Sequence, residues 1–184
     1  MNNILEVHTG LPPPFNKNLI SLLSSHQAWY LSTDQQYLNL PEAFSDTGFL
    51  LKSYSINEPD YNNSRNSNIN EIANLIFKVV LDTTSNYKFT NIKLYRFLWN
   101  YYNRCSTGVE HQDMIIEDGN FCSIVYYLNN NDGGTVIEGK FIPSVESNAV
   151  IFNARKFHKG IGPLKSKDRF CLNILFRYDE LIAL

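Results

Sequence analysis

With 184 residues, 43% hydrophobic and 14% aromatic, the chain is long enough to bury a core and too apolar to stay disordered. A formal net charge of −2 with no basic block lacks the electrostatic footprint of a nucleic-acid binder, and no apolar run is long enough to span a bilayer. The three cysteines, Cys105, Cys122 and Cys171, stand far apart without a C-x-x-C spacing, which argues against a disulfide scaffold or a thiolate zinc site.

The opening MNNILEVHTG shows no basic segment leading into an apolar one, so a secretory leader is not expected and a cytoplasmic protein is. Frequent asparagines suit an AT-rich genome, and hence a bacterial cell or a phage-infected host. Pro12, Pro13 and Pro14 are expected to stop regular structure before Asn16. Asn16 then caps a short helix carrying Leu19, Ile20, Leu22 and Leu23. Glu58 to Asn68 is polar, holds Pro59 and a run of Asn and Ser, and reads as a loop. Asn68 with Glu71 resembles a capping box. It opens the clearest helix, with Ile72, Leu75, Ile76, Val79 and Val80 on one face.

From Phe89 onward the pattern turns to strands. Ile92–Tyr102, Phe121–Leu128, Thr135–Ile137, Ala149–Phe152 and Arg169–Phe176 are the expected ones. The last has apolar residues on both faces, as in a strand covered on both sides. Helices followed by strands suggest an α+β fold, with helices packed on one sheet of a sandwich or barrel.

The chemistry concentrates in a few positions. His111-Gln112-Asp113 is an H-x-D triplet where a loop enters the strand Phe121–Leu128, and alternation lets residues i and i+2 point the same way. His158 follows the strand Ala149–Phe152. Two imidazoles and one carboxylate on one face of an ion form the ligand set of non-haem Fe(II) oxygenases, which leaves three positions open. An H-x-D triplet alone is common by chance, and a lone loop histidine is usually solvated. Arg169, eleven positions after His158, adds weight, because a guanidinium entering an apolar strand needs an anion. Cys171, Asn173 and Leu175 share its face by alternation.

Together, His111-x-Asp113, the run Ile124-Val125-Tyr126-Tyr127-Leu128-Asn129, Gly133-Gly134, Pro143, Phe152, His158 and Arg169 resemble the catalytic core of prolyl 4-hydroxylase-like 2-oxoglutarate oxygenases. The similarity runs from Tyr101 to Phe176 and is nearest to the hypoxia-factor prolyl hydroxylase branch and its small bacterial and phage relatives. It implies a double-stranded β-helix, or jelly roll, braced by N-terminal helices. One domain over 1–184 is expected, with a helical part over about 1–88 and the jelly-roll core over about 89–178.

The resemblance also implies roles. Fe(II) would sit on His111, Asp113 and His158, with 2-oxoglutarate and O2 as co-substrates. Arg169 and Tyr127 would hold the distal carboxylate of 2-oxoglutarate. Tyr101, Ser123 and Asn173 would line the co-substrate pocket, and the segment Glu58 to Asn68 would fold over substrate as a lid. The reaction implied is hydroxylation of a C–H bond, in a prolyl residue, a free amino acid or another small metabolite, with succinate and CO2 as co-products. A nucleobase fits poorly, because base-repair relatives carry a second arginine six places after the first, where this chain has Leu175. The alternative is a non-catalytic or other-metal cupin-like binding module, which has no reason to keep all four of His111, Asp113, His158 and Arg169 in order.

Overall fold

The computed structural model describes residues 4–25, 30–31, 49–55, 67–115 and 118–184. Helix α1 (Pro13–Ser24) and helix α2 (Ser67–Thr83) are set among strands. In chain order the strands are β1 (Leu5–His8), β2 (Tyr30–Leu31), β3 (Phe49–Ser55), β4 (Tyr87–Phe89), β5 (Lys93–Asn103), β6 (Asn120–Tyr127), β7 (Gly134–Ile137), β8 (Lys140–Pro143), β9 (Asn148–Asn153), β10 (His158–Ile161), β11 (Asp168–Tyr178) and β12 (Leu181–Ala183). The five expected strands are present, each within two residues of its expected start and finish. The first 88 residues, expected as helical, also supply β1, β2 and β3 to the main sheet.

Pairing is antiparallel throughout these strands. One sheet runs in the order β1-β9-β6-β11-β5-β3-β2, a second in the order β10-β7-β8, and β12-β4 form a small ribbon. The two larger sheets make a double-stranded β-helix. Segment 107–111 runs along the free edge of β10, held by isolated bridges at Thr107–Ile161 and His111–His158.

Alternation along β11 divides the interior in two. Phe170, Leu172, Ile174 and Phe176 face the helices, where Leu19 and Leu23 of α1 and Ile69, Ala73, Ile76, Phe77 and Val80 of α2 join Phe97, Trp99, Ile124 and Tyr126 in the larger core. Each large apolar side chain buried there contributes about 1.5–3 kcal/mol. The opposite face turns toward the β10-β7-β8 sheet, and between the sheets Val125, Tyr127, Ile137, Ile142, Val150, Phe152 and Cys171 form a second cluster.

Three local expectations are corrected. The prolines start α1 rather than blocking it, because Pro13 and Pro14 fill the first turn, where no N–H is needed. Asn16 is therefore no cap: it is fully buried inside α1, donates to Ser147 Oγ at 2.9 Å and accepts from the Tyr126 hydroxyl at 2.7 Å. The buried stripe of α2 centres on Ile69, Ala73, Ile76, Phe77 and Val80, so Leu75 is 48% exposed. That helix begins at Ser67, which places Asn68 within its first turn. The segment expected as a lid, Glu58 to Asn68, lies outside the described residues as far as 66.

Candidate metal centre

His158 is the first residue of β10, not a loop residue, and it is buried at 3% exposure. His111 sits directly across from it, and each backbone N–H donates to the other's carbonyl at 2.9 Å. Two residues on, Asp113 N–H donates to Ala154 O at 2.9 Å, which carries the carboxylate round to the same point. The candidate ligand atoms of His111, Asp113 and His158 lie within 4.8 Å of one another.

The hydrogen bonds fix which nitrogens are free. His111 Nδ1 lies 2.8 Å from the Val109 carbonyl, and His158 Nδ1 lies 3.0 Å from the Lys156 carbonyl. A carbonyl only accepts, so both Nδ1 atoms carry protons and both Nε2 atoms are left for a metal. His158 Nε2 is buried and has no hydrogen-bond partner, at 3.4 Å from Asp113 Oδ2. An orphaned buried nitrogen beside a buried carboxylate fits a divalent ion, and the N2O donor set suits Fe(II).

Asp113 is 2% exposed at its side chain and surrounded by donors. Arg96 Nη2 reaches Oδ1 at 2.5 Å, while Ser123 Oγ at 2.6 Å and Asn173 Nδ2 at 3.1 Å both reach Oδ2. Asn173 Oδ1 in turn accepts from Arg96 at 3.1 Å. Burial opposes ionisation, but Arg96, then His158 and His111, hold the carboxyl well below the usual range. Burial also pulls His158 down, yet Asp113 beside it prevails and raises it. Desolvation holds His111 below its usual value against the pull of Asp113.

Arg169 lies deeper between the sheets at 1% exposure. Its Nη2 donates to Thr135 Oγ1 at 3.0 Å, and Nε and Nη1 have no partner. Its guanidinium carbon stands 4.6 Å from the Tyr102 ring centroid and 5.5 Å from that of Tyr127. No carboxylate pairs with it among the described residues. Burial pushes the Tyr102 and Tyr127 hydroxyls up to about 12, so both stay neutral donors.

Tyr127 bonds Thr135 Oγ1 at 2.9 Å. The Arg169 N–H can only donate to Thr135, so the Tyr127 and Thr135 hydroxyls share one mutual bond. One of their two protons therefore stays available to a ligand.

The expected site residues thus fall into four groups. His111, Asp113 and His158 converge, and Arg169 and Tyr127 meet at the second position. Ser123 and Asn173 do not line the Arg169 end: their side chains bond the Asp113 carboxylate. Tyr101 faces away, its hydroxyl donating to Asp168 at 2.7 Å and its ring against Phe170 at 4.8 Å. The antiparallel register explains this, because Arg169 pairs with Tyr102 and Phe170 with Tyr101.

Three residues were missed. Tyr102 stands where Tyr101 was expected, and nothing local separates two adjacent tyrosines. Thr135 shares a face with buried Ile137 by alternation. Arg96 would have followed from Tyr102, since residues 96, 98, 100 and 102 share a face of β5, and a cation on an inner face needs an anion.

No protein-family model matches the sequence, and no curated protein does. Solved structures match in fold. A Pseudomonas putida prolyl-4-hydroxylase superposes with a TM-score of 0.59 at 13% identity, covering 98% of this chain and 95% of that one. A prolyl hydroxylase from Trichoplax adhaerens, in complex with a hypoxia-inducible-factor peptide, gives 0.59 at 14% identity, covering 97% and 84%. The epimerase SnoN, in complex with Fe3+, alpha-ketoglutarate and nogalamycin RO, gives 0.65 at 7% identity, covering 99% and 81%. The fold is that of iron- and 2-oxoglutarate-dependent oxygenases.

Proposed function

We propose that the chain is a non-haem Fe(II) dioxygenase that uses 2-oxoglutarate and O2 to oxidise a C–H bond. The observation that carries this reading is the buried Arg169 guanidinium, with Nε and Nη1 unpartnered, in the same barrel as His111, Asp113 and His158. Leaving a buried cation unpaired costs several kcal/mol, so the site calls for an anion. A dicarboxylate with a keto acid at one end answers both the triad and the unpaired guanidinium.

Fe(II), when bound, supplies O2 activation coupled to decarboxylation of 2-oxoglutarate, with succinate and CO2 as co-products. His111, Asp113 and His158 would hold the ion through two imidazole nitrogens and one carboxylate oxygen, a donor set that leaves positions for further ligands. Arg169 takes the distal carboxylate through Nε and Nη1, and the spare proton of the Tyr127–Thr135 pair adds a further donor. Tyr102, its ring against the guanidinium, brings a neutral hydroxyl to the same end. Val125, Ile137, Val150 and Phe152 line that end and keep water from competing for these donors.

The substrates that fit this reading are a prolyl residue in a peptide and a free amino acid or other small metabolite. The peptide bound to the Trichoplax enzyme and the small molecule bound to SnoN show that this fold accommodates each. Hydroxylation is the expected outcome.

The test is an anaerobic titration of the metal-free protein with Fe(II) and then 2-oxoglutarate, followed by visible absorption. A weak charge-transfer band that is lost in His111→Ala supports the reading. Iron binding with no band would point to a cupin of another kind, and no metal binding would point to a binding module.

A further inference from the structure

The Asp113 carboxylate has about four lone-pair positions. Two donors, Ser123 Oγ and Asn173 Nδ2, both land on Oδ2 and fill it. Oδ1 accepts only from Arg96 Nη2, so one position on Oδ1 is left. A metal held by this carboxylate must take that position, which it then shares with a guanidinium. The arrangement is asymmetric: two neutral donors hold Oδ2, 3.4 Å from His158 Nε2, while a cation sits on Oδ1, 3.9 Å from His111 Nε2.

The two kinds of donor act in opposite directions. Ser123 and Asn173 fix the plane of the carboxylate without taking up the ligating oxygen. Arg96 draws density from Oδ1 and places a positive charge beside the ion. In the metal-free protein it also neutralises Asp113, so metal entry costs part of that pairing. Its side chain is 21% exposed, and its Nε has no partner, so the bond to Asp113 is its main anchor.

We propose that Arg96 is a positioning residue that restrains divalent-metal affinity through Asp113 Oδ1, in opposition to Ser123 and Asn173, which raise it through Oδ2. This rests on the metal reading of the triad. A centre tuned this way holds its ion less tightly and leaves the ion short of donor strength, so it binds anionic ligands on its open face more strongly.

The experiment is a Co(II) titration of the metal-free protein against a competing chelator. The visible d–d bands report occupancy and ligand field, and circular dichroism reports folding. Arg96→Met, which removes a cation competing for the carboxylate, should bind Co(II) about 10-fold more tightly than the unaltered chain and shift the bands, with Arg96→Gln in between. Arg96→Lys, which keeps the charge and one donor, should restore the original affinity. Ser123→Ala should bind about 10-fold more weakly. If Arg96→Met does not fold, Arg96→Gln against Arg96→Lys carries the comparison. Neutral variants that bind as the unaltered chain does, or more weakly, overturn the proposal. His111→Ala separates the two readings: if it binds Co(II) as well as the unaltered chain, the metal centre itself is wrong and this proposal falls with it. If only the Arg96 series is flat, the metal centre stands.

Discussion

Gly160 offers a sharp test of the co-substrate end, because it lies in β10 two residues after His158 and faces Tyr102. A Cβ built there would stand 2.3 Å from the Tyr102 hydroxyl oxygen, 2.4 Å from its ring carbon and 2.9 Å from Arg169 Nη1. Ordinary contact would require the Tyr102 ring to retreat by about 1 Å, a displacement that can cost about 100-fold in function. The guanidinium resting on that ring would move with it. Loss or misalignment of one charged hydrogen bond costs about 1.5–3 kcal/mol, which is about a 10- to 150-fold fall in 2-oxoglutarate affinity. None of the candidate metal ligands is among the three atoms nearest the added methyl, so Fe(II) or Co(II) affinity should not change. The assay is the charge-transfer titration for Gly160→Ala beside a Co(II) titration of the same protein. Unchanged 2-oxoglutarate affinity in a folded Gly160→Ala would refute the placement of the carboxylate against Arg169 and Tyr102.

Three further outcomes are expected. Tyr102→Phe should weaken 2-oxoglutarate binding by about 3- to 10-fold, the worth of one ordinary hydrogen bond, whereas Tyr101→Phe should not; equal effects in the same titration would contradict the register. In the metal-free protein Asp113 raises His158 above its ordinary value of 6.5, so the stability this pair gives is full below 6.5 and fades as pH rises through the raised value. Thermal unfolding across that range should show the loss in the unaltered chain and not in His158→Gln. Asn16→Leu leaves the Tyr126 hydroxyl and Ser147 without their shared partner and should cost about 1–3 kcal/mol in chemical denaturation, with Co(II) affinity intact.

The candidate metal ligands and Arg169 were legible as a set because their spacing and chain order together match a known pattern, and the structure brings the candidate ligand atoms of His111, Asp113 and His158 within 4.8 Å of one another. Strands β5, β6, β9 and β11 were legible for a similar reason: each carries several consecutive β-favouring residues. The side-chain network was not, since it depends on register. Whether Tyr101 or Tyr102 meets Arg169 is decided by how β5 pairs with β11, and a one-residue slip exchanges the two faces. Arg96 stayed hidden behind the same ambiguity. Alternation put Ser123 and Asn173 on the inner face but gave a side and not a depth, so their bonds to Asp113 were not foreseen. The short strands β1, β8 and β10 were missed because four residues give too little periodicity unless the residues themselves favour strands, as Thr135, Val136 and Ile137 do in the equally short β7, so the burial of His158 in β10 was missed as well. Asn16 was misread because an asparagine before an apolar run is far more often a cap than a buried link.

The mutual backbone bonds of His111 and His158 give the site a further property. The segment that carries His111 is fastened to β10 only at scattered points, so it is the natural place for the barrel to open locally. An ion that bridges the two imidazoles would bind the closed form and scarcely the open one, which ties the opening equilibrium to occupancy. Amide protons at positions 111 and 158 then become a gauge of loading: slow to exchange with solvent when the ion is held, quick when it is stripped, while those in the middle of β11 keep the same pace in both states.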